Sequence, residues 1–247
     1  MKIIKNGYSR VLLFIHGGPG LDSSYFEGWF GKLNSLCDLA FYDQTYSCGS
    51  SNILDDLCKE LHENIIELSN SYKKIMVFAH SWGAFLYLRS MAMLDNIKAI
   101  VDKSIFSNPM ATTWYGFNKA GNRLLGKMPK SIIDEIASCA DGLRIMDLIL
   151  PYYVGSRECI PDLTFAKYDL DACNAIFAAM EGYDLSGSLY MLEGKAYFIY
   201  CENDFENASD SYELSHFGKV FFFKNAGHFP FAEYNSEFIA LLTSIIS

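Results

Sequence analysis

Short uninterrupted apolar runs alternate with segments of helical periodicity along this chain, and no other feature of the sequence limits the possible folds as much. The runs lie at residues 11–15, 39–42, 75–79, 97–101, 196–201 and 220–223. Strands that are apolar on both faces are typical of a parallel sheet buried between two layers of helices. The sequence therefore predicts an α/β fold with a mostly parallel central sheet and helices on both faces.

The segments between these runs have the spacing of amphipathic or buried helices. Between residues 55 and 68, one helix face carries apolar side chains at spacings of four, four and three, namely Leu57, Leu61, Ile65 and Leu68. Residues 84–94 are rich in large apolar side chains, which predicts a buried helix. Residues 238–246 are predicted to form a closing helix.

One long stretch interrupts the alternation. From Pro109 to Leu192 no comparable strand run occurs, and helical segments at 130–140 and 170–180 are separated by prolines. An insertion of about 80 residues is too long for a plain loop. We therefore predict a core of residues 1–108 and 193–247, with residues 109–192 inserted as a helical cap over one edge of the sheet.

Composition excludes several classes of protein. The chain has 247 residues, of which 51% are hydrophobic, and a formal net charge of −9. So apolar a chain is not disordered, and an acidic chain is a poor partner for nucleic acid. No apolar stretch approaches the roughly 20 residues of a membrane span. A small molecule or a short peptide is the expected partner, and the sequence leaves the oligomeric state open.

The cysteines and the N-terminus bear on location and cofactors. Seven scattered cysteines include no CxxC pair, so free thiols in a reducing cytoplasm are expected. The N-terminal residues lack the pattern of a secretory signal. Because neither a metal-ligand cluster nor a phosphate-binding GxxxxGK[ST] loop is present, we expect no metal and no cofactor.

The segment Ala79-His80-Ser81-Trp82-Gly83 lies where a predicted strand ends and a helix begins. A G-x-S-x-G pattern in that place is the nucleophile elbow, a tight turn that holds the serine hydroxyl above the sheet. Ala79 replaces the first glycine with the smallest possible side chain. The alternative is that Ser81 only caps the helix, as serine often does. The strand, the helix and the partner loop described next favour a nucleophile.

That loop, His16-Gly17-Gly18-Pro19-Gly20, follows the first clear strand. Acyl transfer needs two N–H donors directed at the developing oxyanion, one from the residue after the nucleophile and one from such a loop. We assign these donors to Trp82 and Gly18. Gly17 lets the backbone approach the substrate because it has no Cβ. The alternative is an ordinary glycine-rich turn.

A general base and an acid are expected after the last two strands. His228 follows the run at 220–223 and is the predicted base for Ser81. Asp204 follows the run at 196–201 and is the predicted acid, with Glu202 and then Asp102 as alternatives. The chain order serine, aspartate, histidine is the one expected for an α/β-hydrolase fold.

These motifs resemble those of proline iminopeptidases and related serine hydrolases of the α/β-hydrolase fold. Residues 16–20 are similar to their HGGPG loop, and residues 227–230 to their GHFP-type end. The elbow resembles GxSWGG, with alanine for two glycines. Residues 42–44 with Gly49 and Ser51 are similar to their YDQ segment, and residues 180–189 to a stretch of their cap. The resemblance implies an acyl-enzyme mechanism and the activity of an aminopeptidase.

The resemblance also implies how a substrate would be held. Family members with aminopeptidase activity bind the free α-amino group with acidic residues. One of these positions falls on Asp184, and the one directly after the catalytic aspartate falls on Phe205, with Glu206 one residue further. A retained cap acid favours an aminopeptidase that releases a small N-terminal residue. A lost second acid favours a carboxylesterase or lactonase without amine recognition.

A catalytically idle binding protein on the same scaffold is the third hypothesis. The aromatic residues of the predicted cap either form its own core or contact a substrate, namely Trp114, Tyr115, Phe117, Tyr152, Tyr153 and Phe165. The presence of all three triad residue types argues against the idle protein. A dehalogenase is disfavoured because its nucleophile would be an aspartate in place of Ser81.

Overall fold

The fold was analysed in a computed structural model of the chain. The structure describes residues 1–46, 50–94, 96–156, 160–161, 166–192, 194–206 and 213–247. Gly49, Cys48, Cys159 and Phe165, together with the proposed domain boundary at residue 193, lie outside these ranges. The other five cysteines are free thiols.

Within the described residues the chain forms seven strands and nine α-helices. The strands are β1 (Lys2–Ile4), β2 (Arg10–Ile15), β3 (Asp38–Tyr42), β4 (Lys74–His80), β5 (Val101–Ser107), β6 (Ala196–Cys201) and β7 (Gly218–Phe223). The helices are α1 (Ile53–Ser69), α2 (Trp82–Met93), α3 (Ile97–Ile100), α4 (Trp114–Gly126), α5 (Lys130–Ser138), α6 (Gly142–Ile149), α7 (Leu170–Ala179), α8 (Pro230–Glu233) and α9 (Asn235–Ile246).

The strands form one sheet in the order β1-β3-β2-β4-β5-β6-β7. Only β1 is antiparallel to its neighbour, so the prediction of a mostly parallel sheet is confirmed. Successive residues of β2 point to opposite faces, as the strand repeat requires. Leu13 joins the core cluster that contains α1 and α2, whereas Phe14 joins the one that contains α9. Two helix layers therefore enclose the sheet.

The prediction of a strand at 97–101 was wrong. Residues Ile97–Ile100 form α3, and β5 begins only at Val101. The first half of β5 contains polar residues that concealed it in the sequence, and these find partners in the fold. Lys103 Nζ donates to the backbone oxygen of Ile245, and Ser104 Oγ lies 2.9 Å from the hydroxyl of Tyr87.

Strand β1 was not predicted because three residues are too few to show a period. It is held beside β3 by Asp38, whose Oδ1 accepts the backbone N–H groups of Asn6 at 2.8 Å and Tyr8 at 3.2 Å. The Tyr72 hydroxyl donates to Asp38 Oδ2 at 3.0 Å. This buried carboxylate fastens the N-terminal segment to the edge of the sheet.

Four helices, α4 to α7, lie between β5 and β6 in the sequence. They cover the carboxyl ends of the central strands, because one cavity is lined both by the end of β4 and by residues of α4 to α7. Thr113 and Asp184 form an isolated antiparallel bridge at the base of this insertion. Among the described helices, none has the length and apolar character that a membrane span requires.

Candidate active site

The turn between β4 and α2 holds Ser81 in a backbone conformation that a non-glycine residue rarely adopts. Its φ is 52° and its ψ is −118°. The chain turns so sharply that a Cβ on Gly83 would lie 2.4 Å from the Ile15 carbonyl oxygen, so glycine is required there. Ala79 is fully buried within β4 and its methyl group is accommodated. The Ser81 side chain makes no helix-capping hydrogen bond, which argues against the capping alternative.

His228 and Asp204 form a buried pair at the same edge of the sheet. The Nδ1 atom of His228 lies 3.0 Å from each carboxylate oxygen of Asp204. A carboxylate accepts, so Nδ1 carries the proton and Nε2 of a neutral ring is left free to accept one. The other two acid candidates lie elsewhere: Glu202 accepts the backbone N–H of Asn225 at 3.0 Å, and Asp102 lies near the start of β5.

Asn108 is a member of this site that the sequence reasoning missed. It directly follows β5, has a φ of 47° and is completely buried. Its Nδ2 donates to Asp204 Oδ2 at 2.5 Å. An asparagine after a strand is an ordinary turn residue, so the sequence contained no signal that singled it out. In the fold it supplies the second donor to the buried carboxylate.

Among residues 17–20, one backbone N–H has no hydrogen-bond partner within the part of the chain that the structure describes. The Gly17 N–H donates to the Tyr25 hydroxyl at 2.5 Å, and the Gly20 N–H donates to the Tyr46 hydroxyl at 2.9 Å. Pro19 has no N–H. The remaining N–H of the Gly17–Gly20 stretch belongs to Gly18, which lines the same cavity as Ser81 and Trp82. Gly18 and Trp82, the two predicted oxyanion donors, thus both border the cavity that contains Ser81.

The cavity above Ser81 has a volume of about 500 Å³ and also reaches His228. Its walls are mostly apolar and come largely from the inserted helices, including Phe117, Ile136, Ile145, Met146, Ile149 and Phe177. Among the described residues that line it, the only carboxylate belongs to Glu206, which is 3% exposed. The site is thus an apolar chamber with a nucleophile candidate at one wall and one buried acid.

The structure does not bring Asp184 into this cavity. Asp184 is exposed, and its Oδ1 accepts the backbone N–H and the hydroxyl of Ser186 at 2.8 Å and 2.6 Å. These two hydrogen bonds lower its pKa. Phe205 does line the cavity, and its ring centroid lies 4.7 Å from those of both His228 and Tyr153. Gly17 also lines the cavity.

The predicted cap aromatics divide between cavity and surface. Phe117 and Tyr153 line the cavity. Trp114 packs against Phe117 and Tyr183, with ring centroids 5.4 Å and 6.2 Å away. Tyr115 is 80% exposed. Some of these rings therefore contact whatever occupies the cavity, and others do not.

The sheet order and the turn at Ser81 define an α/β-hydrolase fold. The chain belongs to the alpha/beta hydrolase family, whose model matches residues 12–241. The predicted fold class is confirmed by this match and by the sheet. No curated protein sequence matches the chain.

Solved structures with the same fold include proteins of different activities. An esterase from Exiguobacterium antarcticum has a TM-score of 0.75 and 15% identity, covering 99% of this chain and 94% of that chain. A bromoperoxidase from Bacillus anthracis has a TM-score of 0.73 and 14% identity, covering 99% and 94%. A proline iminopeptidase from Mycobacterium smegmatis has a TM-score of 0.67 and 15% identity, covering 98% and 90%. At such identities the likeness shows the fold alone.

Proposed function

We propose that this protein is a serine hydrolase that cleaves carboxylic esters with an apolar acyl group. One observation carries the proposal: Ser81, at the strained turn, shares a mostly apolar cavity with His228, whose Nδ1 is bound to Asp204. No buried acid is required to hold an apolar acyl chain, so this activity agrees with the position of Asp184 outside the cavity.

The reaction follows from the positions of these groups. Ser81 Oγ attacks the ester carbonyl carbon while His228 Nε2 takes its proton, and Asp204 stabilises the imidazolium that forms. The carbonyl oxygen becomes an oxyanion that accepts hydrogen bonds from the N–H groups of Gly18 and Trp82. The intermediate expels the alcohol, which takes the proton from His228. Water then repeats these steps on the acyl-enzyme and releases the acid.

Chain-length dependence tests the ester activity. Each methylene buried in an apolar wall contributes about 0.8 kcal/mol, or up to about fourfold in kcat/KM. We expect kcat/KM for p-nitrophenyl esters to rise from acetate until the cavity is filled, and then to fall. Ser81→Ala serves as the blank, and a fluorophosphonate should label the parent protein but not this variant. Absence of both turnover and labelling would contradict the proposal and support an idle binding protein.

Glu206 favours a second candidate, the aminopeptidase implied by the resemblance. Its buried carboxylate borders the cavity and, after burial itself, contributes to raising the pKa of Tyr183. A negative charge in a chamber of low polarity attracts a cationic α-amino group. In this candidate Glu206, in place of Asp184, binds the amine of a small N-terminal residue.

Proline and alanine nitroanilides, each with a free and an acetylated amine, distinguish the two candidates. The aminopeptidase predicts turnover of the free-amine forms only. It also predicts that Glu206→Gln raises KM for them, whereas Asp184→Asn, which removes an exposed carboxylate, leaves KM unchanged. Turnover of esters and of blocked amides without preference for a free amine would reject the aminopeptidase.

A further inference from the structure

Two buried polar residues that border the cavity have no part in the Ser81–His228–Asp204 chemistry. Tyr25 lies in a short 3₁₀ turn at Ser23–Phe26, and His80 is the last residue of β4. Both are almost completely buried. The Tyr25 hydroxyl lies 2.9 Å from His80 Nδ1, and His80 Nε2 lies 2.8 Å from the backbone oxygen of His228.

The donor and the acceptor of each hydrogen bond among Gly17, Tyr25, His80 and His228 can be assigned. The His228 carbonyl can only accept, so His80 Nε2 carries a proton. Burial, followed by the nearby His228, holds the pKa of His80 well below its usual value, so the ring is neutral and Nδ1 is unprotonated. The Tyr25 hydroxyl must therefore donate to His80 Nδ1. Its oxygen in turn accepts the Gly17 N–H.

The row of hydrogen bonds from Gly17 through Tyr25 and His80 to His228 connects three segments that are far apart in the sequence. It starts at the loop of residues 16–20, passes through the residue before Ser81, and ends at the backbone of His228. These segments carry the proposed oxyanion donor, nucleophile and base. Because the linking atoms are buried, breaking one link leaves buried polar groups without partners, which is unfavourable.

The Gly17 backbone is held on both sides. Its N–H donates to Tyr25, and its carbonyl accepts from His16 Nδ1 at 2.9 Å. The carbonyl of Gly17 and the N–H of Gly18 belong to one planar trans peptide and point in opposite directions. The orientation of the Gly18 N–H is therefore set by what holds Gly17.

We propose that Tyr25 and His80 are positioning residues, which align the Gly18 oxyanion donor with Ser81 and His228 through the chain Gly17–Tyr25–His80–His228. The inference rests on the proposed serine hydrolase function and adds two residues to it. As positioning residues they act through the backbones of Gly17 and His228. Their effect belongs to the transition state, where the oxyanion forms, and it falls on kcat more than on KM.

Tyr25→Phe tests the inference by removing one oxygen atom. We expect kcat for the best ester to fall about 10- to 100-fold, with KM within about twofold. The affinity for a trifluoromethyl ketone, which forms an oxyanion on Ser81, should fall in parallel with kcat/KM. Tyr87→Phe is the matched control, because it also removes a buried hydroxyl, which lies 2.9 Å from Ser104 Oγ in the core. It should lower stability without changing kcat.

A double-mutant cycle that combines Tyr25→Phe with His80→Gln tests whether the two residues act together on kcat. Residues of one hydrogen-bonded network show non-additive effects, so His80→Gln should cost little more kcat once Tyr25→Phe is present. His80→Gln also replaces Tyr25→Phe as the test if that variant does not fold. Unchanged kcat in the folded variant, or additive losses, would overturn the inference. A parent protein that neither labels nor turns over esters would instead overturn the proposed function, and this inference with it.

Discussion

The side-chain amide of Asn108 donates a hydrogen bond of 2.5 Å to Oδ2 of Asp204, and both residues are buried. The carboxylate thus receives one N–H from Asn108 and one from His228 Nδ1. Asn108 comes from the end of β5 and Asp204 from the residues after β6, two neighbouring strands. Asn108 has a φ of 47°, in the left-handed region that few non-glycine residues adopt.

Asn108→Ala should lower both activity and stability. A hydrogen bond to a charged group is worth about 1.5–3 kcal/mol, and a carboxylate that loses it holds His228 less firmly. We expect kcat to fall at least about tenfold, with a lower midpoint of urea unfolding. Asn235→Ala is the control, since Asn235 Nδ2 donates to the carbonyls of Trp29 and Phe231 at 3.0 Å and 2.9 Å, outside the cavity lining. Equal kcat in both variants would contradict this role.

Gly17→Ala should impair catalysis through a steric clash. A Cβ on Gly17 would lie 2.8 Å from His80 Nδ1 and 2.9 Å from Ser81 Cβ. The loop must shift away, so we expect kcat to fall by up to about 100-fold. Gly121→Ala, in the interior of α4 with nothing within 4 Å of the new methyl group, should raise stability by about 0.5–1 kcal/mol without changing kcat. Steady-state kinetics and thermal unfolding of both variants check this pair.

Asp38 should make the stability of the fold sensitive to acid. Burial works to raise the pKa of Asp38, but hydrogen bonds from Asn6, Tyr8 and Tyr72 outweigh it, and the pKa in the fold is lowered. A lowered carboxyl pKa stabilises the fold above the unfolded value of about 3.9 and loses that contribution as pH falls through the folded value.

The substitution Asp38→Asn should therefore lower the free energy of unfolding by about 1–3 kcal/mol at neutral pH. Its deficit should shrink as pH falls below about 4, because the carboxyl of the unfolded chain then takes up a proton while the folded carboxylate still resists protonation. Urea unfolding of both proteins across this pH range is the measurement. Asp56→Asn changes an exposed side chain on α1 that accepts a hydrogen bond from the Ser50 hydroxyl. Its free energy of unfolding should stay within about 0.5 kcal/mol of that of the parent. A deficit independent of pH would show that the charge of Asp38 is not what matters.

Phe177→Ala should change the preferred length of the acyl chain. The Phe177 ring lines the cavity and stacks on Phe117, with centroids 5.6 Å apart. Removing it enlarges the cavity, so kcat/KM should rise for the longest esters relative to butyrate. Tyr115→Ala removes a ring of the same helical insertion that does not line this cavity, and it should leave the chain-length profile unchanged. The same shift in both variants would place the acyl group elsewhere.

The fold could be predicted well where a signal is local. Uninterrupted apolar runs located β2, β3, β4 and β6 because each is largely buried on both faces. The run at 220–223 also located β7, although this edge strand leaves Val220 and Phe222 exposed. The strand β5 was misplaced because its polar first half is satisfied by contacts with Tyr87 and Ile245, which lie far away along the chain. The strand β1 was missed because its pairing with β3, and not its own pattern, makes it a strand.

The sequence by itself determined the elements that end at the carboxyl edge of the sheet and the motifs that follow them. Ser81 directly follows β4, and Asp204 and His228 lie in the loops after β6 and β7. Parallel strands bring such residues together. Only the tertiary structure decided which other side chains join them. It places Asp184 in solvent and Glu206 at the cavity, and it links Tyr25 to His80 and Asn108 to Asp204. These outcomes depend on distances between residues remote in sequence, which no local spacing encodes.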